Sequence, residues 1–418
     1  MKTTVLFLSI FFFLLITNKT FSQGEAAVPF LLLQPSPSLA AMGQTGTALP
    51  TEDPFGFLWN PAQLGYTSQN NNFSIIFYPS KLEWLPSFNL DLELNGLAFN
   101  LGYNFKELID FPLSVGFGYS NFEIDFGEFA IRDENGNIIG TSSSKDSYNA
   151  YSLGVGVDYG VQFNAGFTFK SVTSILSDRP TGEEQGMGKA EPNVVDFGLL
   201  INVPVFKLID EDISIELEGD MLLKPDFNFS IGYSKSNIGD EVYYIDPAQA
   251  DPLPRMDRLG YGISTGFDIL GDNFQMEVLN FSLTVEADDI LIDRDTTGWE
   301  YQSTLSDLQF VKNLINIEGT EEIVSHIGLK IDLFETVSFS TGHFSGSGFD
   351  ERKTNGYELR TKGLFKLWAL WAKDPFTDFL RDHIDIRYYN TNFFDNHDWA
   401  ETKMTGLALY VHNLNSLF

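Results

Sequence analysis

Large apolar residues alternate with small or polar residues along many stretches of this chain. In residues 97–106 and again in 161–170, the odd positions are Val, Leu, Ala, Phe or Tyr, whereas the even positions are Ala, Gly, Asn, Gln, Thr or Lys. Successive side chains of a β-strand point to opposite faces, so this period of two predicts strands.

The pattern recurs in residues 90–95, 153–160, 213–218, 227–234 and 327–334. About fourteen to sixteen such segments can be counted, most of them near the length that a tilted strand needs to cross a bilayer. One face is rich in large aromatic residues, and the other carries Gly, Ser, Asn and charge. The alternative is a soluble β-sandwich, which would need a second apolar set to form another layer. The chain is therefore predicted to be all-β, a transmembrane antiparallel β-barrel of about 14 strands.

Three further features fit an exported membrane barrel. Residues 1–22 form a predicted signal peptide with Lys2, an apolar run over 5–16 and small residues before a cleavage site after Ser22; a transmembrane helix is the alternative. After it, no apolar run reaches the about 18 residues of a membrane-spanning helix. The chain has no Cys, which excludes a thiol nucleophile or thiolate metal site. We expect location in the cell outer membrane, in contact with its lipid.

The excess of acidic over basic residues limits which partners the protein can bind. A net charge of −31 excludes a role in holding the phosphate backbone of nucleic acid. The acid is concentrated in long predicted loops, at residues 133–148, 174–193, 236–256, 289–322, 345–356 and 391–402. Short connections are predicted at 158–160 and 335–336, and a short loop helix within 305–315. Long loops at one end and short turns at the other are typical of outer-membrane barrels.

No catalytic or cofactor motif is apparent, and we predict that the protein is not an enzyme. The five His have no metal-ligand spacing, and residues 342–348 match G-x-S-x-G in no register. Calcium binding by acidic loops, such as the one at Asp293, is an alternative to a simply solvated surface, although Thr304 stands where the bidentate Glu should be. Cationic residues on the polar strand faces are predicted to face the lumen: Lys106, Lys170, Lys330 and Arg387.

Residues 23–66 lack the alternation and precede the predicted barrel at 67–418. The segment has its own motif, which consists of Met42, Gly43, Gly46, Asp53, Trp59, Asn60 and Pro61. The glycines permit close backbone packing, and Pro61 favours a turn at Asn60. Two arrangements are open: a periplasmic extension, or a plug folded inside the barrel lumen.

The order VPFLLL, AAMGQTGTAL and WNPAQL resembles the start of the PorV/PorQ outer-membrane barrels of Bacteroidota, which are similar in turn to the FadL group of channels. The resemblance returns near Gly342, near Gly356 and at Gly363, which look like late strands, and the terminal Phe418 resembles a barrel-targeting residue. It implies fourteen strands and a luminal plug (hatch).

The resemblance implies two possible roles. One is an accessory barrel of type IX protein secretion, which binds secreted or translocon proteins; the other is a FadL-like channel for hydrophobic small molecules. An accessory should expose apolar loop tips such as residues 242–245, and a channel should have an apolar path and a kinked strand. The N-terminal match favours the accessory role.

Overall fold

The structure, a computed structural model, describes residues 26–417 apart from 87–91, 134, 181–185, 211, 218–220, 272–273, 295–297, 348 and 395–401. The predicted signal peptide, the strand residues Leu90 and Asp91, and Phe418 lie outside the described residues.

A single sheet closes on itself through fourteen barrel strands in the described ranges. The strands are β1 Phe73–Phe77, β2 Glu93–Asn104, β3 Leu113–Arg132, β4 Ile138–Asp158, β5 Gln162–Ser177, β6 Asn193–Pro204, β7 Met221–Ile238, β8 Met256–Gly271, β9 Phe274–Ile290, β10 Ile323–Leu333, β11 Val337–Gly346, β12 Phe349–Arg360, β13 Ile384–Phe394 and β14 Lys403–Val411. Each pairs antiparallel with its sequence neighbours, and β1 pairs with β14 through Phe73 opposite Val411. The predicted barrel and its strand number are confirmed.

The two strand faces are separated as the alternation predicts. On β5, Phe163 and Phe167 are exposed on the outside, whereas Asn164 and Thr168 are buried inside. The exposed aromatic and aliphatic residues of neighbouring strands continue this outer surface, as do Phe197, Leu199 and Ile201 on β6. Closure pairs the backbone groups of all fourteen strands, which an apolar solvent requires.

The connections fall at two ends of the barrel. We call the end near residues 159–161, 334–336 and the C-terminus the short-turn end, and the end near residues 239–255 and 291–322 the long-loop end. The short connections predicted at 158–160 and 335–336 are confirmed. Two predicted loops are wrong, because strands β3 and β4 extend to the turn at Asp133–Asn137 and β11 and β12 cover most of 345–356. Residues 140–147 and 351–356 are all polar, charged or Gly, so the alternation that identifies strands in lipid is lost there.

Short additional strands lie at Leu82–Glu83, Gly188–Ala190, Ile215–Leu217, Ile292–Arg294 and Trp299–Tyr301. The strand predicted at 213–218 is thus reduced to a three-residue appendage on β7. The helix predicted within 305–315 is a single π-helical turn, Val311–Ile315.

The helices are α1 Pro37–Ala41, α2 Gln63–Thr67, α3 Lys106–Ile109, α4 Val205–Ile209, α5 Lys362–Ala372 and α6 Pro375–His383, with 3₁₀ turns at Pro29–Leu32, Gly56–Leu58, Ser68–Asn70, Pro247–Gln249 and Leu414–Ser416.

Lys106 begins α3 and is exposed, so its predicted luminal position is wrong; Lys170 and Arg387 do lie buried on the inner face. Gly363 belongs to α5, not to the late strand that the resemblance implied. Over the described ranges, none of these helices combines the length and apolarity needed to cross a bilayer.

Candidate functional site

The N-terminal residues 26–72 lie within the ring of strands. Helix α1 packs against β11 to β14, and helix α2 packs against β2 to β5 on the opposite side of the ring. Near the long-loop end, Ala27 donates its N–H to the carbonyl of Pro252 at 2.8 Å. Near the short-turn end, the segment passes into β1 at Phe73. It therefore runs along much of the barrel interior.

Inward-facing glycines allow this close packing. A Cβ atom on Gly198 would lie 2.0 Å from Asn60 Oδ1, and one on Gly232 would lie 2.0 Å from the carbonyl oxygen of Thr47. The same holds on other strands, and together these residues form what we call the glycine ring: Gly102, Gly116, Gly154, Gly166, Gly198, Gly232, Gly328 and Gly342. Any larger residue there would displace the segment.

Met42, Gly43 and Gly46 form the first part of the motif. Met42 is buried, with its carbonyl against Gly328. Gly43 has φ 73°, and its N–H donates to Thr354 Oγ1 at 2.9 Å. Gly46 has φ 154°, and its amide donates to the carboxylate of Glu286. Both glycines use backbone conformations that side chains disfavour, and both bind the wall through the backbone.

Asp53 holds two parts of the segment together. Its carboxylate accepts a hydrogen bond from Ser36 Oγ at 2.7 Å and one from the amide of Phe55 at 2.8 Å. Ser36 also caps α1 by accepting from the amide of Leu39. Burial raises the pKa of Asp53 to about 6, against the opposing effect of these hydrogen bonds.

Trp59, Asn60 and Pro61 complete the motif. The Asn60 amide donates to the carbonyls of Thr47 at 2.7 Å and Leu199 at 3.1 Å, so one side chain joins the segment to β6. Its carbonyl closes a turn with the amide of Gln63, as the Asn-Pro pair predicts. The indole of Trp59 lies 3.7 Å from the guanidinium of Arg258.

Several wall residues that hold the segment were not identified from the sequence. Glu286 accepts the amides of Gly46, Thr47 and Ala48. In the sequence, these wall residues appear only as charges on the inner face of a strand. Strands that line a water-filled lumen carry such charges too. Arg258, Asp288 and His326 form a linked group, with Arg258 Nε 3.2 Å from Asp288 Oδ2 and His326 Nδ1 2.8 Å from the carbonyl oxygen of Gly43.

A cavity of about 340 Å³, which we call the outer cavity, lies toward the long-loop end. Much of its lining is apolar and comes both from the segment and from the wall: Pro29, Leu32, Leu33, Trp59, Pro254, Met256, Ile290, Ile292, Val324 and Phe344. The other lining residues are polar or charged, apart from Ala26: Gln44, Asp288, Asp293, Arg294, Gln302, Asp307, Glu321, Glu322, His326 and Ser347. A cavity of this size, about half of whose lining residues are apolar, can hold a small molecule with a hydrophobic part.

A second cavity of about 220 Å³, the inner cavity, lies toward the short-turn end and has a different chemistry. Its lining is rich in charged groups: Glu52, Asp53, Glu277, Lys330, Asp332, Glu358, Arg360 and Arg387. Lys330 Nζ lies 2.9 Å from Glu358, and Arg387 lies 2.6 Å from Glu52 of the segment. Because an apolar solute would have to displace these ion pairs, the two cavities do not form one continuous apolar path in this structure.

Several described strands have register shifts, and the one in β7 lies beside the lumen. The register of β7 against β6 shifts between Lys235 and Ile238, where Asn237 has φ 58°. The Asn237 side chain is buried and donates to the carbonyl of Pro254, next to the Lys170–Asp196 ion pair at 2.7 Å. The bulge therefore points inward at this place. Among the described residues, no group of His, Cys, Asp and Glu is arranged to hold a metal ion.

A closed barrel of fourteen antiparallel strands, apolar outside and polar inside, defines an integral β-barrel of the bacterial outer membrane.

Comparisons with known proteins find matches among solved structures only. No family model matches the sequence, and no curated protein does. Among solved structures, the chain is similar to the toluene transporter TodX of Pseudomonas putida, with 11% identity over 89% of this chain and 95% of that one and a TM-score of 0.39. The CymD monoaromatic hydrocarbon channel has 10% identity over 90% and 95%, with a TM-score of 0.35. The outer membrane protein OprD of Pseudomonas aeruginosa has 11% identity over 81% and 92%, with a TM-score of 0.26. Similarity at this level carries no information about function.

Proposed function

We propose that the protein is an outer-membrane channel for small hydrophobic molecules, which bind in the outer cavity on their way through the barrel. The observation that carries the proposal is this cavity of about 340 Å³ between the N-terminal segment and the wall, in which apolar residues of both make up about half of the lining. Its volume lies near the lower end of the range for ligand pockets, which favours a monoaromatic or a medium-length acyl chain.

The proposal gives the N-terminal segment the role of a plug. The glycine ring, the Glu286 carboxylate and the Asn60 amide all fix the segment across the lumen. Passage then requires the segment to shift near the inner cavity, where the Arg387–Glu52 ion pair holds it to β13. The motif residues from Met42 to Pro61 act as positioning residues of this plug.

A type IX secretion accessory is the other role, and it rests on the N-terminal resemblance. That role needs an exposed apolar loop, for which the sequence offered residues 242–245. Val242 is only 3% exposed, and the Tyr244 hydroxyl lies 2.8 Å from Ser174 Oγ. Only Tyr243 and Ile245 of this stretch are directed outward. We therefore favour the channel.

The test is binding of labelled toluene and of decanoate to the purified barrel in detergent. Val324 is an inward-facing residue that lines the outer cavity, so V324W should fill the space and weaken binding by about tenfold, or ~1.4 kcal/mol. The matched control is V155W, because Val155 is exposed on the outer face. Wild type and V155W should bind alike. Equal binding by V324W, or binding of neither probe by the wild type, would refute the proposed site.

A further inference from the structure

The connection between β12 and β13 is a compact helical hairpin made of α5 and α6. Lys373 has φ 52° and ends α5, and Asp374 caps α6 by accepting the amides of Phe376 at 3.0 Å and Thr377 at 3.2 Å. The rings of Trp368 and Phe376 meet edge to face at 6.4 Å. The hairpin therefore has well-formed ends and an internal contact of its own.

The hairpin is fixed to the short-turn end of the barrel. The amide of Gly363 donates to the carbonyl of Glu335 at 3.0 Å, and Lys366 forms an ion pair with the Glu335 carboxylate. A Cβ atom on Gly363 would lie 1.9 Å from the carbonyl oxygen of Phe334, so α5 is in close contact with the turn. The polar side of α5 is thus directed toward the barrel.

The other side of the hairpin is apolar and exposed. Trp371 is 85% exposed and Phe376 is 62% exposed, with Leu364, Leu367 and Trp368 beside them. In the described part of the chain, nothing packs over these side chains. Surface of this kind marks contact with a partner or with a membrane.

The position of this apolar face indicates that it contacts lipid. Leu359 and Ile386, at the ends of the two strands that the hairpin connects, are exposed on the outer surface of the barrel, and so is Phe334 in the neighbouring turn. The amide of Thr361, which starts the hairpin, donates to the carbonyl of Ile386 at 3.1 Å. The exposed apolar face of the hairpin is therefore continuous with the surface that contacts lipid.

We propose that the α5–α6 hairpin lies in the periplasmic leaflet of the outer membrane, with its apolar face among the acyl chains. Short turns of outer-membrane barrels lie on the periplasmic side, which places the hairpin at that leaflet. Tryptophan is favoured at the boundary between acyl chains and headgroups, and Trp368 and Trp371 supply two of the six tryptophans of the chain. An amphipathic helix lies in the plane of the membrane interface, with its apolar face toward the acyl chains and its polar face away from them.

The experiment uses the intact barrel reconstituted in bilayers of phosphatidylcholine brominated on its acyl chains, which quenches tryptophan fluorescence only on contact. The variant W368F/W371F removes the hairpin tryptophans, and the control W84F/W299F removes two that belong to the long-loop end. Heat-modifiable migration confirms that each variant is folded. We expect most of the quenching by brominated lipid to be lost in W368F/W371F and retained in W84F/W299F.

Two results would overturn the proposal. In the first, brominated lipid quenches W368F/W371F as strongly as the wild type while aqueous iodide quenches the hairpin tryptophans, which places the face in water. In the second, neither quencher reaches these tryptophans and the purified barrel is a dimer or carries a bound protein, which places a protein partner on the face.

Discussion

The carboxylate of Glu286 on β9 accepts the backbone N–H of Thr47 at 2.8 Å, and the neighbouring amides of Gly46 and Ala48 donate to the same carboxylate. One wall residue thus satisfies three consecutive amides of the N-terminal segment. The backbone pairing of β9 does not involve this side chain, so the barrel and the attachment of the segment depend on different interactions.

The substitution E286A should therefore release the segment without unfolding the barrel. Hydrogen bonds to a charged group contribute about 1.5–3 kcal/mol each, so three lost bonds should weaken the attachment strongly. We expect higher conductance in planar bilayers and faster protease cleavage near Gly46, with heat-modifiable migration retained. The control E128A changes an exposed carboxylate in the part of β3 next to the turn at Asp133–Asn137. Conductance equal to that of E128A would contradict the role assigned to Glu286.

The glycine ring predicts a position-dependent effect of one added methyl group. In G232A the new Cβ would lie 2.0 Å from the Thr47 carbonyl oxygen, so the segment must shift. In G140A the nearest atom is 3.9 Å away, at the side chain of Arg179, so nothing need move. We expect G232A, and not G140A, to raise conductance and lower the melting temperature. Equal behaviour of the two variants would show that the segment is not packed against β7 as described.

Much of the barrel could be predicted because the bilayer imposes one rule on every strand. Residues such as Phe163 and Asn164 had to alternate, and the alternation identified both faces. The rule ends where the strands leave the lipid, which explains why residues 138–148 of β4 were taken for part of a loop. The α5 helix was missed because Lys366 interrupts its apolar run, although an apolar face with Lys362 and Lys366 toward Glu335 fits an amphipathic helix.

The site was predicted less completely, and the reason is also physical. The motif from Met42 to Pro61 could be identified by its glycines and the Asn-Pro pair. Its partners on the wall, such as Glu286 and Arg258, are single charges far away in sequence. Nothing local in their strands separates a carboxylate that binds three amides from one that faces water.

Substitutions of the two partners of the Arg387–Glu52 ion pair should lower the stability of the barrel by unequal amounts. Arg387 also donates to Asp385 at 2.6 Å and lies 3.9 Å from the Tyr410 ring. R387M should remove the cation that Glu52 and Asp385 share from a buried site, at a cost of about 3–5 kcal/mol. E52Q retains an acceptor and should cost about 1 kcal/mol. Urea unfolding of both variants in detergent measures the difference, and similar costs would mean that Arg387 has no partner beyond Glu52.

Asp53 predicts a pH dependence of stability. Burial raises its pKa to about 6 in the folded protein, from an ordinary value of 3.8, so the folded state retains a proton that the unfolded state has already lost between these values. The stabilising contribution of protonated Asp53 is therefore fully present below about pH 4 and is lost as the pH rises through about 6. The largest loss is roughly 3 kcal/mol. The variant D53N cannot titrate, yet it can still hydrogen-bond to Ser36. Urea unfolding at a series of pH values should show wild type losing stability relative to D53N between about pH 4 and 6. Because the comparison cancels the titration of all other groups, a constant difference over this range would mean that Asp53 is ionised in the folded protein throughout.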